Sequence, residues 1–179
     1  MAMARRFVTD FVDDPSISVE YCTAILDQLN IETCHVLGHS LGGMIGLRLC
    51  VTCPSRVRIL TLLDSYVDIR ERPAKLRNME YPTCSKHLHD EIIDAMMDGP
   101  GVKWHANFNM TAEAKRIRCP VLELQGESAP NLDEHFATWL RAKRTGFPAS
   151  WQVVRVSNSG HFVQIEQPEI TLAHIVAHI

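Results

Sequence analysis

The sequence predicts an α/β fold, a mostly parallel sheet of about four strands with helices on both faces. Three observations predict it. Apolar runs of strand length alternate along the chain with segments of helical period. One of those strands runs into Gly38-His39-Ser40-Leu41-Gly42, a G-x-S-x-G pattern that opens a helix. A serine, an aspartate and a histidine (Ser40, Asp64 and His161) each fall just after a predicted strand end. Ligands of parallel sheets bind outside the carboxyl ends of the strands, so one edge would gather all three.

Residues 1–13 carry no clear period and read as a loosely held lead-in. Asp14-Pro15 then reads as a helix start, with the acid as cap and proline at the first helical position. Val19, Cys22, Ile25, Leu26 and Leu29 follow at helical spacing and predict one buried face up to about Asn30. A short buried strand is expected over about Thr33 to Leu37. The next helix runs to about Cys53, where Pro54-Ser55 stops it. Val57 to Leu63 is a β-branched and leucine run of strand length, and Asp64 sits at its end.

Residues 65–118 are less regular. Arg70 to Asn78 and His89 to Met97 fit helices, split by Tyr81-Pro82 and closed by Asp98-Gly99-Pro100-Gly101. Two helical pieces between strands read as a reduced cap or lid. Strand character returns at Val121 to Gln125, with Pro120 at its first position, where no ladder hydrogen bond is lost. A helix from about Asn131 to Arg144 should turn Leu132, Phe136, Trp139 and Leu140 inward. Trp151 to Val156 is the last strand, followed by the Ser157-Asn158-Ser159-Gly160 loop and His161. A final helix opens at Pro168 and is expected to bury Ile170, Ala173 and either Val176 or Ile175.

The G-x-S-x-G stretch has a mechanical reading. A strained strand-to-helix turn lifts a serine hydroxyl above the sheet, and the glycines two before and two after it keep side chains out of a crowded turn. The helix starts behind Ser40, so its dipole and the N–H of Leu41 would face a developing oxyanion. The competing reading is a plain glycine-rich turn whose serine only caps the helix.

Composition narrows the field. At 179 residues the chain is sized for one domain, 1–179, and 46% apolar residues suffice for a core. A net charge of −3 gives no electrostatic footprint for nucleic acid or an anionic membrane. No apolar run reaches membrane-spanning length, and no signal core follows Arg5 and Arg6. Six cysteines in that setting read as reduced, mostly buried thiols, and a cytoplasmic protein is the expectation. Cys50-Val51-Thr52-Cys53 has redox spacing but sits at a helix end, where the dipole raises a thiol pKa. Cys84, His87 and His89 lack a fourth ligand for a metal, and no glycine-rich phosphate loop occurs. No cofactor and no metal are therefore expected.

Nearly the whole chain beyond the first dozen residues resembles the α/β-hydrolase superfamily. Leu26-Asp27-Gln28-Leu29, the block from His35 to Leu49, and Pro54-Ser55-Arg56-Val57 running into Leu62-Leu63-Asp64 look like its central segment. Cys119-Pro120-Val121-Leu122 with Gly126-Glu127, and Gly160-His161-Phe162 with Glu166-Gln167-Pro168-Glu169, look like its closing segments. The resemblance implies Ser40 as nucleophile, His161 as general base and then acid, and Leu41 N–H as an oxyanion donor. His39 reads as packing inside the turn. The usual acid position aligns with Ala129, flanked by Glu127 and Asp133, whereas Asp64 matches an acid position used by some branches. Asp64 is the acid preferred here.

Members usually carry further strands and a helix before the segment that begins here, including a His-Gly loop with the second oxyanion donor. No His-Gly pair occurs in this sequence. The chain is thus expected to be an N-terminally truncated relative. The strand before Ser40 should lie at an exposed apolar edge that invites self-association, and the missing second donor should leave a weak catalyst. The leading function is a serine hydrolase of a small ester, thioester or lactone. One alternative is cofactor-independent dioxygenation of a hydroxyquinolone-like substrate, to whose enzymes the Leu26–Leu29 run with Glu32-Thr33 is similar. The other is a non-catalytic fragment or pseudoenzyme.

Overall fold

A computed structural model describes residues 15–68, 108–126 and 142–179. The two expected cap helices, most of the expected 131–144 helix, and Glu127, Ala129 and Asp133 lie outside those residues. Helix α1 (Pro15–Gln28) leads to strand β1 (Cys34–His39), helix α2 (Leu41–Thr52) and strand β2 (Val57–Leu63). A short helix α3 (Thr111–Ala114) precedes β3 (Val121–Gly126) and β4 (Trp151–Val156). Helices α4 (Val163–Glu166) and α5 (Pro168–His178) close the chain, with proline in the first turn of α5. The strands run in the order β1-β2-β3-β4, and every neighbouring pair is parallel.

Alternation along the strands divides most of their buried apolar residues between two cores. Leu60, Leu62, Val121 and Trp151 face a core completed by Val19 of α1, by Met44, Leu47, Leu49 and Cys50 of α2, and by Ala114 of α3. Leu63, Leu122, Leu124 and Val156 face the other, with Val163 of α4 and Ile175 of α5. Helices thus cover both faces, as expected from the sequence.

Three burial expectations change. In α1 Val19 is buried, but Ile25, and Leu29 just past the helix end, are 56% and 63% exposed. That helix packs mainly on α2 rather than on the sheet, so its contact stripe is narrow. In α5, Ile170 and Val176 are 42% and 64% exposed and Ala173 is exposed too, while Thr171 is buried and Ile175 packs on the second core. The Thr171 hydroxyl donates to the Val163 carbonyl at 2.9 Å and turns that face inward. Strand β1 is not fully buried either: His35 and Leu37 are exposed, because β1 is an edge among the described strands and no described helix covers that side.

Arg56 pins the connection into β1. Its guanidinium donates to the Glu32 and Ile31 carbonyls and to Asp27 Oδ1, each at 2.8 Å. The five described cysteines are free thiols. Cys50 Sγ meets Cys119 Sγ at 3.8 Å rather than Cys53, and that contact together with burial pushes the Cys50 thiol up.

Candidate active site

Strand β1 ends at His39 and α2 begins at Leu41, so one residue makes the whole turn. Ser40 takes it with φ 51° and ψ −117°, a conformation an L-residue holds only where the surroundings impose it. The strand imposes it through Ser40 N–H, which donates to the Leu63 carbonyl of β2 at 3.0 Å. The serine side chain makes no capping bond to α2, which removes the plain-cap reading of the motif.

The crowding in this turn falls on particular glycines. A Cβ on Gly38 would lie 2.4 Å from the Gly42 carbonyl oxygen, and one on Gly43 would lie 2.4 Å from Ser65 Oγ. A Cβ on Gly42 would meet nothing within 4 Å. Of the two motif glycines, then, only the first is sterically required, and the neighbouring Gly43 replaces the second in that role.

Asp64 follows β2 with φ 42° and is 3% exposed. His161 follows β4 and is 8% exposed. The two meet: His161 Nδ1–H donates to Asp64 Oδ2 at 2.6 Å. The other carboxylate oxygen, Oδ1, accepts the Gly126 N–H from the end of β3 at 3.1 Å. Both oxygens of the carboxylate are therefore engaged, which holds its plane relative to the imidazole.

His39 links this pair to the turn. Its Nε2–H donates to the His161 carbonyl at 2.8 Å, and the two rings lie 4.5 Å apart. Phe162 closes the stack, 5.0 Å from the His39 ring. Burial, reinforced by the neighbouring His161 imidazole, pushes His39 below the usual histidine range. A neutral ring with its proton on Nε2 suits the bond it makes, so His39 is a packing and hydrogen-bonding group.

A nucleophile-type serine on a strained turn and an Asp–His pair now stand at one edge of a parallel sheet. The model of the "Alpha/beta hydrolase family" matches residues 4–174. The chain belongs to that family. The "Putative carbamate hydrolase RutD" of Pseudomonas syringae pv. syringae is 40% identical, over 81% of this chain and 67% of that protein. The same-named protein of Azorhizobium caulinodans is 43% identical over 42 residues, 24% of this chain and 16% of its own. Among solved structures, carboxylesterase CesB of Bacillus subtilis superposes with a TM-score of 0.67 at 20% identity, covering 93% of this chain and 67% of that one. A meta-cleavage product hydrolase of Pseudomonas fluorescens superposes with a TM-score of 0.69 at 16% identity, over 92% and 71%. The chain thus spans between 16% and 67% of the length of these two curated relatives, and 67% and 71% of the two solved α/β-hydrolase-fold chains.

Two supports of this α/β-hydrolase site escape sequence reading. Glu166 of α4 accepts the Gly160 N–H at 2.8 Å and the Phe162 N–H at 3.1 Å, so one carboxylate brackets His161 on both sides. Gly126 lets β3 meet the His161 loop, since a Cβ there would lie 2.0 Å from the Gly160 carbonyl oxygen. An acid five residues after a candidate histidine, with a glycine just before it, is the only local signal of the clamp. Among the described residues, no cluster of three or more His, Cys, Asp or Glu could hold a metal. No described helix is long and apolar enough to cross a membrane.

Proposed function

We propose that the chain is a serine hydrolase whose nucleophile is Ser40, with His161 as base and Asp64 as the supporting acid. The observation that carries this is the 2.6 Å contact of His161 Nδ1 with a carboxylate that Gly126 N–H also holds. A proton kept on Nδ1 leaves Nε2 free to take one from a hydroxyl. In this reading Ser40 Oγ attacks an acyl carbon, its proton passes to His161 Nε2, and the negative charge on the acyl oxygen falls to Leu41 N–H. His161 then returns the proton to the leaving group, and water repeats the cycle to release the acid. Substrates are a small ester, thioester or lactone. The name of the Pseudomonas syringae relative adds a carbamate, which presents the same kind of acyl carbon.

A fluorophosphonate probe tests the reading. Labelling should fall on Ser40 and vanish in Ser40→Ala, and a panel of p-nitrophenyl esters, a thioester, a lactone and a carbamate should yield at least one substrate. No labelling of a well-folded sample, or labelling that survives Ser40→Ala, would remove the hydrolase reading. Uptake of oxygen with a hydroxyquinolone, unaffected by Ser40→Ala, would point instead to a His161–Asp64 base pair working on dioxygen.

A further inference from the structure

We infer that Ser65 orients the Ser40–Leu41 peptide so that Leu41 N–H serves as the oxyanion donor, an inference that rests on the hydrolase function proposed above. Ser65 is fully buried directly after Asp64, and its Oγ–H donates to the Ser40 carbonyl oxygen at 2.7 Å. The same oxygen accepts the first helical N–H groups, Gly43 at 3.0 Å and Met44 at 3.3 Å. The Ser65 bond is the shortest of the three. It also comes from outside the helix, from the end of β2.

Geometry turns that bond into a statement about the opposite side of the peptide. The chain has no cis peptide bonds among its described residues, and in a trans peptide C=O and N–H point in opposite directions. Drawing the Ser40 carbonyl inward toward Ser65 therefore aims Leu41 N–H outward from the helix start. The first N–H groups of a helix have no intrahelical acceptor, so this donor is not consumed by α2. Ser40 itself, at φ 51°, has no backbone preference that would hold the plane unaided.

Ser65 is in turn held from below. Gln125 Nε2 of β3 donates to the Ser65 carbonyl at 2.9 Å and to Glu123 Oε1 at 3.0 Å. Glu123 is fixed by Arg144 through two bonds of 2.7 and 2.9 Å and by Trp151 Nε1–H at 2.8 Å. A buried ion pair thus anchors a chain of hydrogen bonds that ends on the peptide behind the nucleophile. Gly43 fits the same account, because a side chain there would displace the Ser65 hydroxyl.

The test compares wild type, Ser65→Ala and Ser65→Cys in the full chain. Cysteine keeps the shape of the side chain, with a somewhat larger atom and a much weaker donor. Phosphonylation rate, kcat and KM on the best ester, melting temperature and the Leu41 amide resonance are measured for each. Ser65→Ala should lower kcat and the phosphonylation rate about tenfold, less than outright loss of an oxyanion donor, with KM within about twofold. The Leu41 amide resonance should move, the pH profile should stay in place, and Ser65→Cys should fall between the two. Should Ser65→Ala fail to fold, Ser65→Cys carries the same comparison. A labelled wild type with variants that react at its rate, or an unmoved Leu41 amide, overturns the role of Ser65 and leaves the hydrolase reading standing. A wild type that neither labels nor turns over any substrate removes that reading, and the positioning role of Ser65 with it.

Discussion

Asp64 makes one hydrogen bond with each carboxylate oxygen, and that division of labour predicts what asparagine would do. Gly126 N–H needs an acceptor, so the amide oxygen of Asp64→Asn would stay with Gly126 and its NH₂ would face His161. A donor aimed at Nδ1 drives the imidazole proton to Nε2, the wrong tautomer for a base. Activity should fall about 10³- to 10⁴-fold with the fold intact, measured as kcat on the best ester beside an unchanged melting curve. A fall of only a few fold would show that another carboxylate supports His161. His39 carries a different signature. Its folded-state pKa lies below the ordinary value of 6.5, so between the two values the unfolded chain binds more protons. Stability should therefore rise with pH through that window and decline as the pH drops below about 6.5. Urea midpoints taken between about pH 5 and 8 should show this slope, and His39→Gln, which keeps a donor for the His161 carbonyl, should flatten it.

The turn between β1 and α2 separates two glycines that look alike in sequence. Gly42→Ala places its methyl in open space in the first turn of α2, so it should be neutral or stabilise by about 0.5 kcal/mol. Gly43→Ala drives the same methyl onto Ser65 Oγ and Cβ, at 2.4 and 2.5 Å. The Ser65 hydroxyl cannot swing aside without leaving the Ser40 carbonyl, so this substitution should cost about 1–3 kcal/mol and lower activity as well. Denaturant unfolding of the two variants checks the contrast. Equal stabilities would mean the crowding at Gly43 relaxes at little cost.

At the scale of the whole molecule, an exacting contact among the described residues joins the middle of the sheet to the segment before β4. Glu123 is fully buried on β3, and its carboxylate is satisfied by Arg144, Gln125 and Trp151. Phe147 and Trp151 pack edge-on at 4.7 Å, with the Arg144 guanidinium over both rings. Arg144→Met would leave a buried carboxylate without its cation and should destabilise the chain by about 3–5 kcal/mol. Arg144→Met with Glu123→Gln should recover much of that loss, because no charge then remains to be buried and the amide oxygen can still accept a hydrogen bond from Trp151 or Gln125. A double variant no more stable than Arg144→Met alone would place the penalty in packing rather than charge.

What the sequence determined by itself is whatever local pattern encodes. Val57–Leu63 and Trp151–Val156 are the observed strands to the residue, because apolar and β-branched runs between breakers leave few other conformations. The turn at Ser40 was legible because glycine and serine stand at fixed offsets between a strand and a helix. Asp64 and His161 could each be placed at a strand end, and the family resemblance offered Asp64 as the acid beside His161. Their contact spans 97 residues and exists only because β2 and β4 run parallel on either side of β3. Tertiary structure alone also decided which face of α5 turns inward: α5 packs on α4 and β3 through Thr171 and Ile175, which leaves Ile170 and Val176 exposed. The buttresses of the site follow the same rule. Glu166, Ser65 and Gly126 act through backbone groups and close approaches that carry no side-chain pattern, and only the assembled sheet brings them to the turn.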